Sequence, residues 1–359
     1  MKRAPGRGAA APAERNVAPM DAGSRRTIAI WLLGCAAAVF LVLVVGGLTR
    51  LTHSGLSIVQ WQPLVGIVPP LSDAAWSELF EQYRATPEFR LLNSAMALGE
   101  FEQIFWWEYA HRLLARLAGL LFLLPLLWFV GTRRITRALA WRLAAIFALG
   151  ALQGALGWFM VASGLVDDPR VSPLRLAAHL GLALLLIGAM LWSAWTLWFG
   201  AVPRRRLPAL AGIAVGAVFV MALTGALVAG TRAGFAFNTF PWMGGALVPP
   251  GLLQLSPWYR NLVDNLATVQ FVHRAMACVV IVASAALCWP VRTQAPRARR
   301  AANGMLLALA VQLALGIGTL LSVVALPLAG AHQAGAVLLF VATLWSAFAL
   351  TLVEAAPAA

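Results

Sequence analysis

The chain has 359 residues, of which 61% are hydrophobic and 11% charged, and its formal net charge is +14. A soluble domain carries about 25% charged residues, so this composition excludes a single water-soluble core and makes lipid part of the solvent. The positive charge sits in short arginine clusters between apolar runs, which excludes a nucleic-acid surface and marks membrane orientation.

Residues 1–26 are rich in Ala, Pro and Arg and are expected to form a disordered basic cytoplasmic tail. Apolar stretches then run over 28–48, 112–131, 143–163, 175–198, 209–229, 267–290, 303–324 and 331–353. Each approaches the roughly 20 residues that a bilayer requires, so eight transmembrane helices are predicted. The first is too long for a cleaved signal and reads as a signal anchor. The tail and the connections after spans 2, 4 and 6 hold 17 of the 27 basic residues but only Glu14 and Asp21 among the acids. With Glu354 after the last span on the same side, both termini are expected in the cytoplasm. Cys35, Cys278 and Cys288 all fall within predicted spans, so no outer disulfide is expected.

The chain repeats itself. Span 4 carries His179 followed by Leu191-Trp192-Ser193-Ala194, and span 8 carries His332 followed at the same spacing by Leu344-Trp345-Ser346-Ala347. His111-Arg112 in span 2 answers His273-Arg274 in span 6, and Gln153 with Gly157 answers Gln312 with Gly316. The expected architecture is all-α: two tandem four-helix bundles, 27–200 and 207–353, related by a pseudo-twofold axis along the membrane normal.

His111, His179, His273 and His332 all lie near the outer entry of their spans. One intramembrane histidine reads equally well as a hydrogen bond between helices. Four at one depth, in two repeated pairs, suit the axial positions of two haem irons. The expected pairs are His111 with His179 and His273 with His332; zinc would want more ligands close together. His53 has no histidine partner in the repeat and reads as an ordinary loop residue.

The halves differ beside the first histidine. Glu108 precedes His111 by three residues, a spacing that shares a helix face, whereas Gln270 takes its place before His273. Glu108 is therefore the candidate catalytic residue, as a general base or a charge that stabilises a developing cation. The alternative is a solvated carboxylate paired with Arg112. Arg112 and Arg274 are candidate contacts for haem propionates, with interfacial anchoring the alternative.

These residues resemble the haem A synthases. The resemblance runs through Gly46-Gly47-Leu48-Thr49-Arg50-Leu51-Thr52, Ser54-Gly55-Leu56-Ser57, Trp61 with Pro63, Glu100-Phe101, Ile104 to Arg112, Met160 to Leu165 and Phe237-Asn238-Thr239-Phe240-Pro241. It implies oxidation of a methyl group of haem O to a formyl group by successive hydroxylation with water-derived oxygen. It also implies a substrate haem at His111 and His179 and a haem b cofactor at His273 and His332 that takes up the electrons. The absence of outer-loop cysteine pairs resembles the mitochondrial and proteobacterial branch, here placed in a bacterial inner membrane ahead of a mitochondrial one. Haem O synthase and cytochrome oxidase assembly factors are the implied partners, besides lipid, and a homo-oligomer stays open.

Three rival functions have different signatures. A non-enzymatic electron carrier with two b haems explains the histidines but not the Glu108/Gln270 difference. A prenyltransferase needs aspartate-rich motifs, and the adjacent acids here are Asp167-Asp168 alone. A transporter would not call for four matched histidines.

Overall fold

A computed structural model describes residues 20–61, 65–200, 202–291 and 294–353. The first 19 residues of the expected tail, and Pro63, lie outside the described residues. Ten α-helices occur among the described residues: α1 Ala22–Leu51, α2 Asp73–Arg84, α3 Pro87–Leu92, α4 Leu98–Gly131, α5 Arg137–Ala162, α6 Pro173–Trp198, α7 Ala209–Thr231, α8 Leu266–Val291, α9 Pro296–Leu321 and α10 Leu326–Ala349. All but α2 and α3 are long and apolar enough to cross a bilayer. The protein is a multi-pass membrane protein.

Several boundaries differ from those read in the sequence. Residues 22–26, expected in the tail, belong to α1, because the Asp21 side chain caps the helix by accepting from the Ser24 N–H at 2.9 Å. Helix α9 starts at Pro296 rather than 303, its first turns disguised by arginines. Helix α10 spans 326–349 rather than 331–353.

The largest difference is in the first long connection. Helix α4 begins at Leu98, so His111 is its fourteenth residue and not its entry. Glu100, Glu102 and Glu108 interrupt the hydropathy run there, but Phe101, Phe105 and Tyr109 repeat at i, i+4 on one face. That face is buried with Tyr83 of α2 and Phe89 of α3. Glu100 closes the helix start by accepting from the Ala97 N–H at 2.9 Å.

This aromatic cover encloses an acid. Glu88 of α3 is 4% exposed and accepts from the Tyr83 hydroxyl at 3.2 Å. Burial pushes its carboxyl up to about 7, helped by the nearby Glu108, while the Tyr83 hydroxyl and Arg232 pull the other way. The folded segment thus holds the Glu88 proton more tightly than an unfolded one. The resulting stabilisation is complete below the ordinary carboxylate range and is lost as pH rises through about 7. The α2–α3 segment should therefore resist limited proteolysis better at about pH 5 than at about pH 8, by on the order of 2 kcal/mol, and Glu88→Gln should flatten the difference. Resistance that rises with pH would contradict this reading of Glu88.

Each half closes a ring of four helices. Helix α1 packs on α4 and α6, and α5 packs on the same two. Helix α7 packs on α8 and α10, and α9 packs on those two. Helices α4 and α6 therefore stand at opposite corners of one ring, and α8 and α10 at opposite corners of the other. The halves meet through α6 against α7, α1 against α10, and α6 against α10. The α6–α10 seam is reciprocal. Trp192 meets Phe348 at 5.1 Å between ring centroids, and its counterpart Trp345 meets Trp195, the counterpart of Phe348, at 5.0 Å. Gln333 of α10 also donates to the Leu43 carbonyl of α1 at 2.9 Å, a polar bond between halves in an apolar setting.

Candidate functional site

Three of the four histidines are set at corresponding places near the start of their helices, and His111 lies fourteen residues into α4. His179 and His332 are the seventh residues of α6 and α10, and His273 is the eighth of α8. His111 lies within electrostatic reach of His179, and His332 of His273.

Every imidazole rests on a glycine of a neighbouring helix. A Cβ added at Gly46 of α1 would stand 2.5 Å from Cε1 of His111, and one at Gly225 of α7 would stand 3.1 Å from Cε1 of His273. At Gly157 of α5 the distance to His179 Cε1 would be 2.9 Å, and at Gly316 of α9 the distance to His332 Cε1 would be 2.8 Å. All four contacts are tighter than ordinary side-chain packing: a Cβ at Gly46, Gly157 or Gly316 would force the ring to shift, and one at Gly225 would require it to give by a few tenths of an ångström.

Hydrogen bonds then choose the tautomers on α4 and α8. His111 Nδ1 is 3.1 Å from the Val42 carbonyl, which only accepts, so Nδ1 carries the proton. His273 Nδ1 is 2.9 Å from Thr224 Oγ1, whose own hydrogen goes to the Met221 carbonyl at 2.8 Å, so here too Nδ1 donates. Both rings keep the Nε2 lone pair free, the usual state of a metal-binding histidine oriented through its other nitrogen.

On the opposed helices a glutamine takes the orienting role. The Gln153 amide donates to the His179 carbonyl at 3.0 Å, and the Gln312 amide donates to the His332 carbonyl at 2.9 Å and lies 3.0 Å from Nδ1. His179 Nδ1 is buried with no hydrogen-bond partner. The free Nε2 lone pairs of His111 and His273, the orphaned His179 Nδ1 and the four glycine seats fit imidazole ligation of iron.

The glycines give a sharp test. Gly304, on the same helix as Gly316, has nothing within 4 Å of an added Cβ. Alanine at either position gains about 1 kcal/mol of helix propensity. At Gly316 it also displaces the His332 ring, an overpacking cost of about 1–3 kcal/mol. Gly304→Ala should thus be neutral or mildly stabilising, while Gly316→Ala should lose haem from its half. Equal haem content in the two variants would remove the cradle from the site.

Glu108 is 2% exposed, so it is not a solvated surface carboxylate. Its Oε1 accepts from Arg112 Nε at 3.0 Å and Nη2 at 2.6 Å, and its Oε2 accepts from the Ser57 hydroxyl at 2.7 Å and the Ile58 N–H at 2.9 Å. Arg112 also donates to the Ile58 and Gln60 carbonyls. Together they clamp the start of the first long connection to α4. The second half builds the same clamp without the acid: Gln270 donates to the Phe237 carbonyl at 3.2 Å, and Arg274 donates to the carbonyls of Phe237, Pro241 and Trp242.

Sequence reasoning brought the histidines and Glu108 to light but assigned nothing to Gly46, Gly225 or Thr224. The spacing Gln153-x-x-x-Gly157, repeated as Gln312-x-x-x-Gly316, was the available signal: i and i+4 share a face, so the amide and the glycine meet one histidine together. The aromatic residues also sort themselves. Trp61 stacks on Trp158 at 5.2 Å, and Trp106 packs on Trp76 of the outer cover at 5.8 Å.

Residues 29–344 match the family model described as cytochrome oxidase assembly protein. The chain is 52% identical to the heme A synthase of Nitrosospira multiformis, over 89% of this chain and 92% of the relative. It is 51% identical to the heme A synthase of Nitrosomonas eutropha over the same shares. It is 46% identical to that of Parvibaculum lavamentivorans, over 90% of this chain and 94% of the relative. The chain therefore belongs to the cytochrome oxidase assembly protein family, the family of the haem A synthases.

Proposed function

We propose that this protein is an oxidoreductase that converts a methyl group of haem O into the formyl group of haem A, for use in cytochrome oxidase. The change consumes one water-derived oxygen and releases four protons and four electrons for each formyl group formed. The observation that carries the reading is the pair of glycine-seated histidine sites, alike in construction but differing by Glu108 against Gln270.

In this reading the half at 27–200 takes haem O between His111 and His179, and the half at 207–353 keeps haem b between His273 and His332. A resident haem b supplies one-electron acceptor chemistry. The residues of the chain do the rest. Val42 and Thr224 hold His111 and His273 with Nε2 available. Gln153 and Gln312 fix the opposing histidines. Glu108, the acid beside the first site, receives protons as the methyl group is oxidised, and Arg112 holds its carboxylate in place. Burial beneath Ser57 and Ile58 of the first long connection keeps the Glu108 carboxylate from bulk water.

We further propose that the halves are a tandem duplication about a twofold axis along the membrane normal; the reciprocal Trp192–Phe348 and Trp345–Trp195 contacts support it. The arginine clusters support cytoplasmic termini in a bacterial inner membrane. Haem O synthase and oxidase assembly factors are the expected partners.

The near-identity of the four histidine seats also favours a second reading, a carrier that passes electrons between two b haems. Production in a bacterium that makes haem O but no haem A separates the two. Haem A in the extracted pigments supports the synthase. Protohaem alone, with no haem A, supports the carrier.

A further inference from the structure

Arg112 spends its donors on Glu108 and on main-chain carbonyls, and Arg274 turns Nη1 and Nη2 to main-chain carbonyls while its buried Nε has no partner. A different arginine stands where both histidine sites can be reached. Arg50 lies one helical turn beyond Gly46, the seat of His111, on the same side of α1. Its Nη1 donates to the Ala229 carbonyl at 3.0 Å. Ala229 in turn lies one turn beyond Gly225, the seat of His273, on α7. Arg50 thus starts above one site and ends above the other, across the seam between the halves.

It does not stand alone. Arg232 interacts electrostatically with Arg50, and both act on His53, whose imidazole is held below its ordinary range by burial and then by these two charges. His53 and Arg232 occupy matching places, each in left-handed backbone just past its helix (φ 54° and 60°). The repeat partner of His53 is therefore an arginine. No carboxylate forms an ion pair with Arg50 or Arg232 among the described residues: Arg232 acts on Asp168 and Glu88 only at longer range, while Asp168 is bridged to Arg170 and Glu88 is bonded to Tyr83. Ala229 engages one of the five N–H donors of Arg50. A half-buried guanidinium with unused donors and a second arginine beside it is built for an anion, and planar carboxylate is the anion it fits best.

We propose that Arg50, assisted by Arg232, binds a propionate carboxylate of the porphyrin at the seam between the two sites. This rests on the reading of the histidine pairs as haem sites. The positive charge also favours the ferrous state of an adjacent haem, which has one positive charge fewer than the ferric state.

The test uses the purified full-length protein with its haems. Transfer of haem to excess apomyoglobin measures retention, and a spectroelectrochemical titration measures midpoint potentials. For Arg50→Gln, haem transfer should be about tenfold faster, the loss of one charge-assisted bond, and a midpoint potential should move to more negative values. Arg50→Lys should recover most of the potential, because the charge returns, but not the retention, because the planar fork does not. Arg232→Gln should act in the same direction but less, and it decides the matter if Arg50→Gln fails to fold. Unchanged transfer rates and potentials in Arg50→Gln, or in Arg232→Gln where only that variant folds, would overturn the proposal. So would an equal effect from Arg274→Gln with none from Arg50→Gln. Wild-type protein that binds no haem would instead sink the underlying reading of the histidines.

Discussion

Replacing His273 or His332 with alanine should leave a folded protein that holds about one haem where the wild type holds about two, with the remaining haem at His111 and His179. The expectation follows from the separate rings. His273 sits between Gly225 and Thr224 of α7, and His332 between Gly316 and Gln312 of α9. None of these residues belongs to the first half. Losing one axial ligand removes a bond that the apolar surroundings cannot replace, so the second site empties while the first keeps both ligands. Product formation should fall by two orders of magnitude or more if, as proposed, the haem of this half accepts the electrons from the substrate. Pyridine haemochrome quantitation per chain checks the first outcome and a haem O conversion assay the second. Equal loss from both halves, with helicity unchanged, would defeat the two-site arrangement.

Glu108→Gln should do the reverse: both haems stay and turnover drops by about 10²–10⁴-fold, the range for removal of a positioned acid–base group. Its structural role must be separated from its chemical one. The carboxylate holds Arg112, Ser57 and Ile58, so an amide there leaves Arg112 partly unpaired. That costs on the order of 1–3 kcal/mol of local stability. Ser57→Ala removes one bond of the same clamp and leaves the carboxylate. If the clamp alone mattered, Ser57→Ala would lose a large part of the activity as well. If the charge matters, Ser57→Ala keeps most turnover and Glu108→Gln keeps almost none. Full turnover in Glu108→Gln would remove it from the chemistry.

Much of the site was legible in the sequence because it repeats. The eight apolar helices and the Glu108/Gln270 difference needed only spacing and composition. What stayed hidden depends on which helix faces which. Gly46 and Gly225 look like any small residues of a membrane helix until α1 meets α4 and α7 meets α8. Arg50 reads as the end of a span until its side chain is seen to cross to Ala229 of the other half. The start of α4 was missed because three acids mask a helix whose other face is aromatic and buried beneath α2 and α3. Hydropathy averages over faces, so it cannot separate an amphipathic extension from a loop. Glu108 was expected on the histidine face, and its anchoring to Ser57 and Ile58 followed only once the first connection folded back over α4.

The most direct measurement is a structure of the protein with its haems bound, at a resolution that places the irons. One iron should lie between His111 and His179 and the other between His273 and His332, with Glu108 beside the first alone. An iron ligated across the halves, by His111 with His332 for instance, or a single haem shared by both, would contradict the two-site arrangement.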